Sequence, residues 1–277
     1  TLTMLTGAAL RAPANATHQR LGGQGHWLLA IPAHHIAGIQ VLVRSLVAGT
    51  TPVAMDLEGG FTASAFARAT AEIASAATAY TALVPTQLVR LVAADEGRKA
   101  LTRYAAVLVG GAETPSAVLT EAKVTGVLVV TTYGMSETAG GCIYDGHALD
   151  VSQAKLEDDG RIRLGGSTLA LGYLDEPALS AAVFVIDEAA RRWFRTDDVG
   201  HLDDRGTLVV DGRIDDLINT GGLKVAPGLV EEALLQPDSV ADAIVGGSPD
   251  AALGTPVTTA TVPPRGRPPP PRAEAPT

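Results

Sequence analysis

The sequence predicts an α/β layered fold, and three observations carry that reading. Apolar runs alternate with helix-like segments through the first half of the chain. The run at residues 126–130 is apolar after its opening glycine and leads directly into Thr131-Thr132-Tyr133-Gly134-Met135-Ser136-Glu137-Thr138. From Arg161 onward the texture changes to short strand-like pieces separated by glycine and by Asp-Gly or Asp-Asp turns, which predicts a small β-rich subdomain.

Taken in order, residues 27–31 and 40–48 are apolar segments flanking a turn at His34 and His35. Residues 63–79 read as an alanine-rich helix after the Gly59-Gly60 break. Residues 80–84 then read as a strand, 85–94 as a helix, 105–109 as a strand, 115–123 as a helix and 126–130 as a buried strand. The motif at 131–138 is expected to emerge at the carboxyl end of that last strand, where open α/β sheets place their ligands. Residues 214–235 hold a turn, a Gly-Gly loop and a helix starting near Pro227, and 262–277, with its four-proline run, reads as a disordered tail. There is no internal repeat.

Composition narrows the class. With 277 residues, 46% hydrophobic and 18% charged, the chain can bury a large core in more than one domain, and with only 4% aromatics that core must be filled by Ala, Val and Leu. A net charge of -9 without a Lys/Arg cluster argues against a nucleic-acid surface. The single cysteine, Cys142, forms no internal disulfide, and no charged-then-apolar leader opens the sequence, so a reducing cytoplasm is the expected setting. No uninterrupted apolar stretch approaches the roughly 20 residues of a membrane helix.

The segment 131–138 has the chemistry of a nucleotide phosphate and metal site. Glu137 offers the carboxylate oxygen that a hard Mg2+ takes, Ser136 and Thr138 offer hydroxyl donors, and Tyr133 a flat face for a base or sugar. Alone it could also be a strand-end turn with an exposed glutamate. Four further segments accompany it. They are Ile31-Pro32-Ala33-His34-His35-Ile36-Ala37-Gly38, Leu108-Val109-Gly110-Gly111-Ala112-Glu113, Trp193-Phe194-Arg195-Thr196-Asp197-Asp198-Val199-Gly200 and Asp211-Gly212-Arg213-Ile214-Asp215-Asp216-Leu217-Ile218. In this order the set resembles the adenylate-forming enzymes of the acyl-CoA synthetase superfamily, over roughly residues 4 to 260, and within them the o-succinylbenzoate-CoA ligases of menaquinone biosynthesis.

The resemblance implies an adenylate-forming large domain at 1–214 with its β-rich subdomain, a truncated small α+β domain at 215–261, and the tail at 262–277. It implies a reaction in which a carboxylic acid and ATP give an acyl-adenylate and pyrophosphate, and CoA then gives the thioester and AMP. ATP, Mg2+ and CoA follow as cofactor and co-substrates, with a small carboxylic acid as partner and a homodimer as a common family state. The family's roles fall on Glu137 for the metal, Ser136 and Thr138 for phosphate, and Gly111, Ala112, Glu113, Thr132, Tyr133, Gly134 and Met135 for the nucleotide. Asp198 and Arg213 fall on the ribose, His35 and Gly110 on the acyl pocket, Asp215 on a hinge, and Gly221, Gly222 and Lys224 on the loop lining a CoA tunnel.

Four departures stand beside these matches. Asp197 occupies a position that is glycine in the family, and Gly212 one where many relatives carry a second arginine. The family's phosphate loop and its C-terminal lysine have no counterpart in the sequence. The chain therefore reads either as part of an active ligase, for o-succinylbenzoate or for a fatty or aryl acid, or as a remnant that binds a nucleotide or acyl-CoA without turnover. His34 and His35 are not expected to form a metal pair, because adjacent side chains diverge and no third ligand is spaced to join them. His18, His26, His147 and His201 read as surface or turn residues, and Cys142 as a buried small residue rather than a nucleophile.

Overall fold

A computed structural model describes residues 1–73, 77–220, 223–235, 240, 242–247 and 257–262. By contacts the chain divides into two compact units, one of residues 1–155 and 163–195, the other of residues 156–162 and 196–277.

The first unit opens with β1 (Thr3–Met4), α1 (Gly7–Arg20), β2 (His26–Leu29), α2 (Ile36–Val47) and β3 (Val53–Ala54). Then come α3 (Ala63–Ile73), β4 (Ala79–Leu83), α4 (Pro85–Val92), α5 (Asp95–Leu101), β5 (Ala106–Gly110), α6 (Ser116–Val124) and β6 (Val129–Met135). Local chemistry explains many of the boundaries. The Thr6 hydroxyl caps α1 by accepting from Ala9 N at 3.0 Å. Pro85 occupies the start of α4, where its missing N–H costs nothing, and the Gln87 side chain reaches back to Val84 N at 3.0 Å. Helix α3 buries Phe66, Ala69, Thr70 and Ile73, a spacing of three and four residues.

Two expectations are corrected here. The alanine-rich helix, described as far as Ile73, does not reach 79, because Ala79 and Tyr80 are taken into β4, a strand buried at all five positions. Burial in the middle of a parallel sheet outweighs alanine's helix propensity. The strand expected at 126–130 starts at Val129, since Gly126, with φ 81, closes the C-terminus of α6. It runs on to Met135, so Thr131 to Met135 lie inside β6 and only Ser136 to Thr138 lie past its end.

The main sheet has the order β3-β2-β4-β5-β6, all parallel, and continues antiparallel through β7 (Gly140–Tyr144) and β8 (His147–Ala148). Side chains alternate between its faces. Leu28, Leu83, Val107 and Val109 meet Phe66, Leu88 and Leu101 on one side, and Trp27, Leu29, Ala82 and Leu108 meet Val41 and Tyr144 on the other. Ala, Val and Leu supply most of this core, as the scarcity of aromatics requires.

Further strands and one helix follow the sheet: β9 (Ser152–Leu156), β10 (Arg161–Gly166), β11 (Gly172–Tyr173), α7 (Pro177–Val183), β12 (Phe184–Ile186) and β13 (Arg192–Leu202). Within the first unit β11 pairs with β1, and β12 pairs with the opening residues of β13. In the second unit the latter half of β13 pairs antiparallel with β14 (Leu208–Arg213), with a bulge between Val199 and Gly200. It continues with the hairpin β15 (Ile218–Thr220) and β16 (Leu223–Val225), helix α8 (Pro227–Leu235), and the pair β17 (Asp242–Gly247) and β18 (Val257–Val262). The helix begins at Pro227 as expected. Val262, expected to open the tail, is instead the last residue of β18, whose Val257, Thr258, Thr259, Thr261 and Val262 are β-branched; the remainder of the expected tail lies outside the described residues. Among the described residues no helix is long and apolar enough to cross a membrane.

Candidate active site

The Glu137 turn is set up by the way β6 leaves its parallel partner. Pairing with β5 ends at Gly110 opposite Thr132, after which Tyr133 to Met135 pair only with β7. Gly134 has φ 156, and a Cβ there would collide with the Gly140 carbonyl, so the bulge at Tyr133 and Gly134 needs glycine. Ser136 to Thr138 form one 3-10 turn, closed by Ala139 at φ 53. Buried Gln40 of α2 fastens this closure, its Nε2 donating to Ala139 O at 2.7 Å and Leu10 O at 3.1 Å.

On this turn Glu137 is half-buried, and its Oε1 accepts from the Tyr173 hydroxyl at 2.8 Å. Its main-chain oxygen accepts from Ala170 N at 2.8 Å. Tyr173 was missed from sequence: it stands 36 residues away, and its only signal was a Gly-Tyr pair among just five tyrosines. Ser136 is half-buried beside Glu137. Thr138 is a correction to its expected role as phosphate donor. Its side chain is fully buried, with Oγ1 2.8 Å from Gly140 O and 3.1 Å from Met135 O, and it accepts from Met135 N at 3.0 Å. With one hydroxyl proton spent on main-chain oxygens, it shapes the turn rather than facing a ligand.

The other nucleotide candidates lie at the ends of β5 and β6. Gly110 approaches Thr132 too closely for any Cβ, and the Thr132 hydroxyl donates to Val109 O at 3.3 Å. Gly111, at φ 88, and Ala112 and Glu113 form an exposed loop immediately beyond. Tyr133 is half-buried. Met135 packs against Leu169, Ala170, Phe184 and Phe194, so its side chain supports the site from beneath.

His35 is exposed at the N-terminus of α2, and its ring lies 4.3 Å from that of His34, so the two side chains meet rather than diverge as expected. Among the described residues no three His, Cys, Asp or Glu side chains cluster to hold a metal. His18 is buried rather than on the surface. Its Nε2 accepts from Trp27 Nε1 at 3.3 Å, and burial together with nearby Arg44 lowers its pKa. Arg44 is itself buried, bonded to the Tyr144 hydroxyl at 3.1 Å and stacked 4.9 Å over Trp27. Cys142 is fully buried and its thiol is pushed up to about 12, as befits an inert core residue.

In the second unit Asp198 and Arg213 are register partners across β13 and β14. Arg213 stands among three carboxylates, 3.8 Å from Asp197, 3.9 Å from Asp198 and 3.8 Å from Asp215. Asp197 also pairs with Arg161, so the charge at the family's glycine position is balanced by two guanidinium groups. The Thr196 hydroxyl accepts from Asp198 N at 3.1 Å and donates to Ile162 O at 2.8 Å, which fixes the main chain at Asp198. Asp215 is three-quarters exposed in a short 3-10 turn, Ile214–Asp216, at the end of β14. Gly221 and Gly222 lie outside the described residues. Lys224 lies in β16, and of it only the main chain is described.

A sequence profile described as "AMP-binding enzyme" matches residues 3–212. A probable 2-succinylbenzoate-CoA ligase of Mycobacterium tuberculosis is 45% identical over 269 residues, covering 96% of this chain and 68% of the relative. The 2-succinylbenzoate-CoA ligase of Listeria monocytogenes is 30% identical over 256 residues, covering 88% of this chain and 52% of the relative. In structure the chain is similar to the o-succinylbenzoate-CoA synthetase of Bacillus subtilis in complex with its acyl-adenylate intermediate, with a TM-score of 0.78 and 26% identity over 95% of this chain and 56% of that one. The same enzyme in complex with ATP and magnesium matches with a TM-score of 0.76 at 26% identity, over 94% of this chain and 57% of that one. The chain thus spans between about half and just over two thirds of the length of these relatives. The profile match, the sequence identity and the structural similarity agree: the chain belongs to the AMP-binding enzyme family and has the adenylate-forming fold.

Proposed function

We propose that this chain carries the nucleotide-handling part of an ATP-dependent carboxylate-CoA ligase whose acid is o-succinylbenzoate. The observation that carries the reading is Glu137, a carboxylate on a tight turn past a sheet strand, whose Oε1 accepts from a phenol and whose second oxygen has no hydrogen-bond or ion-pair partner among the described residues. The names of the relatives supply the acid.

In the first step a carboxylate oxygen of the acid attacks the α-phosphorus of ATP and pyrophosphate leaves. In the second the CoA thiol sulfur attacks the acyl carbon and AMP leaves. Glu137 fits Mg2+, which takes one or two carboxylate oxygens and leaves its remaining positions to phosphate and water. When bound, Mg2+ neutralises charge on the phosphate oxygens. Ser136 donates to a phosphate oxygen, and Gly111, Ala112, Glu113, Thr132 and Tyr133 border the base, with Gly134 keeping the strand path open. Asp198 accepts from ribose hydroxyls, Arg213 answers the sugar and phosphate charge, and His35 and Gly110 border the acid. Asp215 acts as a hinge, and Gly221, Gly222 and Lys224 serve the CoA step.

The test is AMP release from ATP, Mg2+, CoA and o-succinylbenzoate by the purified chain, with Glu137→Ala alongside. Turnover that disappears in the variant upholds the ligase. ATP binding without AMP release from either protein leaves a nucleotide-binding role and removes the catalytic one for this chain.

A further inference from the structure

We infer that Tyr173 is the positioning residue for the metal-binding carboxylate: its hydroxyl holds Glu137 in the orientation that receives Mg2+ with the nucleotide. The inference rests on the reading of Glu137 given above and extends it to a residue outside the segments that carry the resemblance.

Four restraints fix Tyr173 before any ligand arrives. Its main chain pairs with Thr3 through β1 and β11, and Leu174 N donates to Leu2 O at 2.8 Å. Its own N–H donates to Ser180 Oγ at 2.8 Å. Its ring meets Phe184 edge-on, with centroids 5.9 Å apart. Gly172 before it has φ 150, and a Cβ there would come within 2.8 Å of Ser180 Oγ, so the approach of α7 that supplies this hydroxyl depends on glycine.

The same stretch grips the Glu137 turn twice more. Ala170 N donates to the Glu137 carbonyl, and Leu169 and Ala170 share a hydrophobic cluster with Met135. Arg192 holds this stretch from behind through bonds to Ala170 O and Leu171 O, with its guanidinium 4.4 Å over Phe184. The main chain of Glu137 and the oxygen of its side chain are therefore held by one segment, residues 169–173.

The chemical consequence follows from the geometry of a carboxylate. A free glutamate samples several rotamers, and a metal that binds it must select one. A phenol donating to Oε1 at 2.8 Å makes that selection in advance and directs Oε2 elsewhere. It uses only one lone pair of Oε1 and leaves the carboxylate its negative charge. Partners that orient a metal ligand in this way typically contribute 10-fold to 100-fold to metal affinity. The pairing also has a direction: tyrosine donates and cannot compete for the cation as a second carboxylate or a histidine would.

The test compares the full 277-residue chain with Tyr173→Phe, which keeps the ring and removes only the hydroxyl. Mn2+ is titrated in the presence of a non-hydrolysable ATP analogue and followed by electron paramagnetic resonance of the free ion. Analogue binding in EDTA and the thermal midpoint are measured beside it. The expected result is about a 10-fold weaker Mn2+ affinity in Tyr173→Phe, with analogue binding in EDTA and the melting temperature unchanged. Equal Mn2+ affinity in the two proteins overturns the inference and leaves the functional reading standing. Loss of analogue binding in EDTA together with a lowered midpoint assigns Tyr173 a purely structural role and also overturns it. Wild-type chain that takes up no Mn2+ with the analogue overturns both the inference and the reading on which it rests.

Discussion

Thr138 and His18 act through buried side-chain hydrogen bonds, and each yields a measurable consequence. Replacing Thr138 by valine keeps its shape and removes the hydroxyl that Met135 N and Gly140 O depend on. Leaving such buried groups unpaired costs about 1–3 kcal/mol, so Thr138→Val is expected to lower the denaturant midpoint by that equivalent. His18 is a neutral acceptor for Trp27, and its folded pKa lies below the ordinary value near 6.5. As pH falls through the unfolded value the unfolded chain gains a proton that the folded chain refuses, so stability is present above that value and lost below it. Denaturant titrations at pH 8 and pH 5.5 should show this loss in the wild type and a shallower one in His18→Gln. Glu137, Asp198 and Arg213 could be proposed from the sequence because each stands inside a short ordered motif. Tyr173 was not, because its relation to Glu137 is made by folding across 36 residues, and the burial of Thr138 depends on how β7 turns back over it.

At the scale of elements, the β6 to β7 turn works because glycine sits where no side chain fits. Gly134→Ala would place a methyl against the Gly140 carbonyl at a backbone angle that is nearly glycine-only, a strain of about 1–3 kcal/mol before the collision is added. Its expected effects are a lower melting temperature by calorimetry and weakened ATP binding, since the same turn carries Ser136 and Glu137. The strands β4 and β5 and the helices α3, α4 and α6 were readable from apolar runs and breakers, and Pro85 and Pro227 marked helix starts, whereas α1, β3 and α5 were not read from the sequence. Two boundaries failed for reasons of context. A run of alanines cannot say whether it will be drawn into a sheet, as Ala79 was, and a glycine before an apolar run can belong to the helix behind it, as Gly126 does. The extension of β6 through the motif was hidden by the Gly134 bulge, because a strand paired on only one side tolerates half-buried polar residues.

For the whole molecule, the α/β class and the change of texture near Arg161 were both visible in the sequence, whereas the division into units was not, since it cuts through β10 and β13 rather than falling at a linker. The topology of the main sheet has a kinetic consequence. Joining β2 to β4, or β4 to β5, requires a helical crossover, whereas β6, β7 and β8 follow one another as an antiparallel meander closed by a short turn and a hairpin. Loop closure for the meander is entropically cheap, and it stands to form early in folding while the parallel strands wait for their helices. In pulsed hydrogen exchange during refolding, the amides of Ile143 and Leu149 should gain protection before those of Leu28 and Ala82. The turn that carries the carboxylate would then take shape in the nascent chain as a local structure, and the rest of the domain would assemble onto a template already bearing its chemistry.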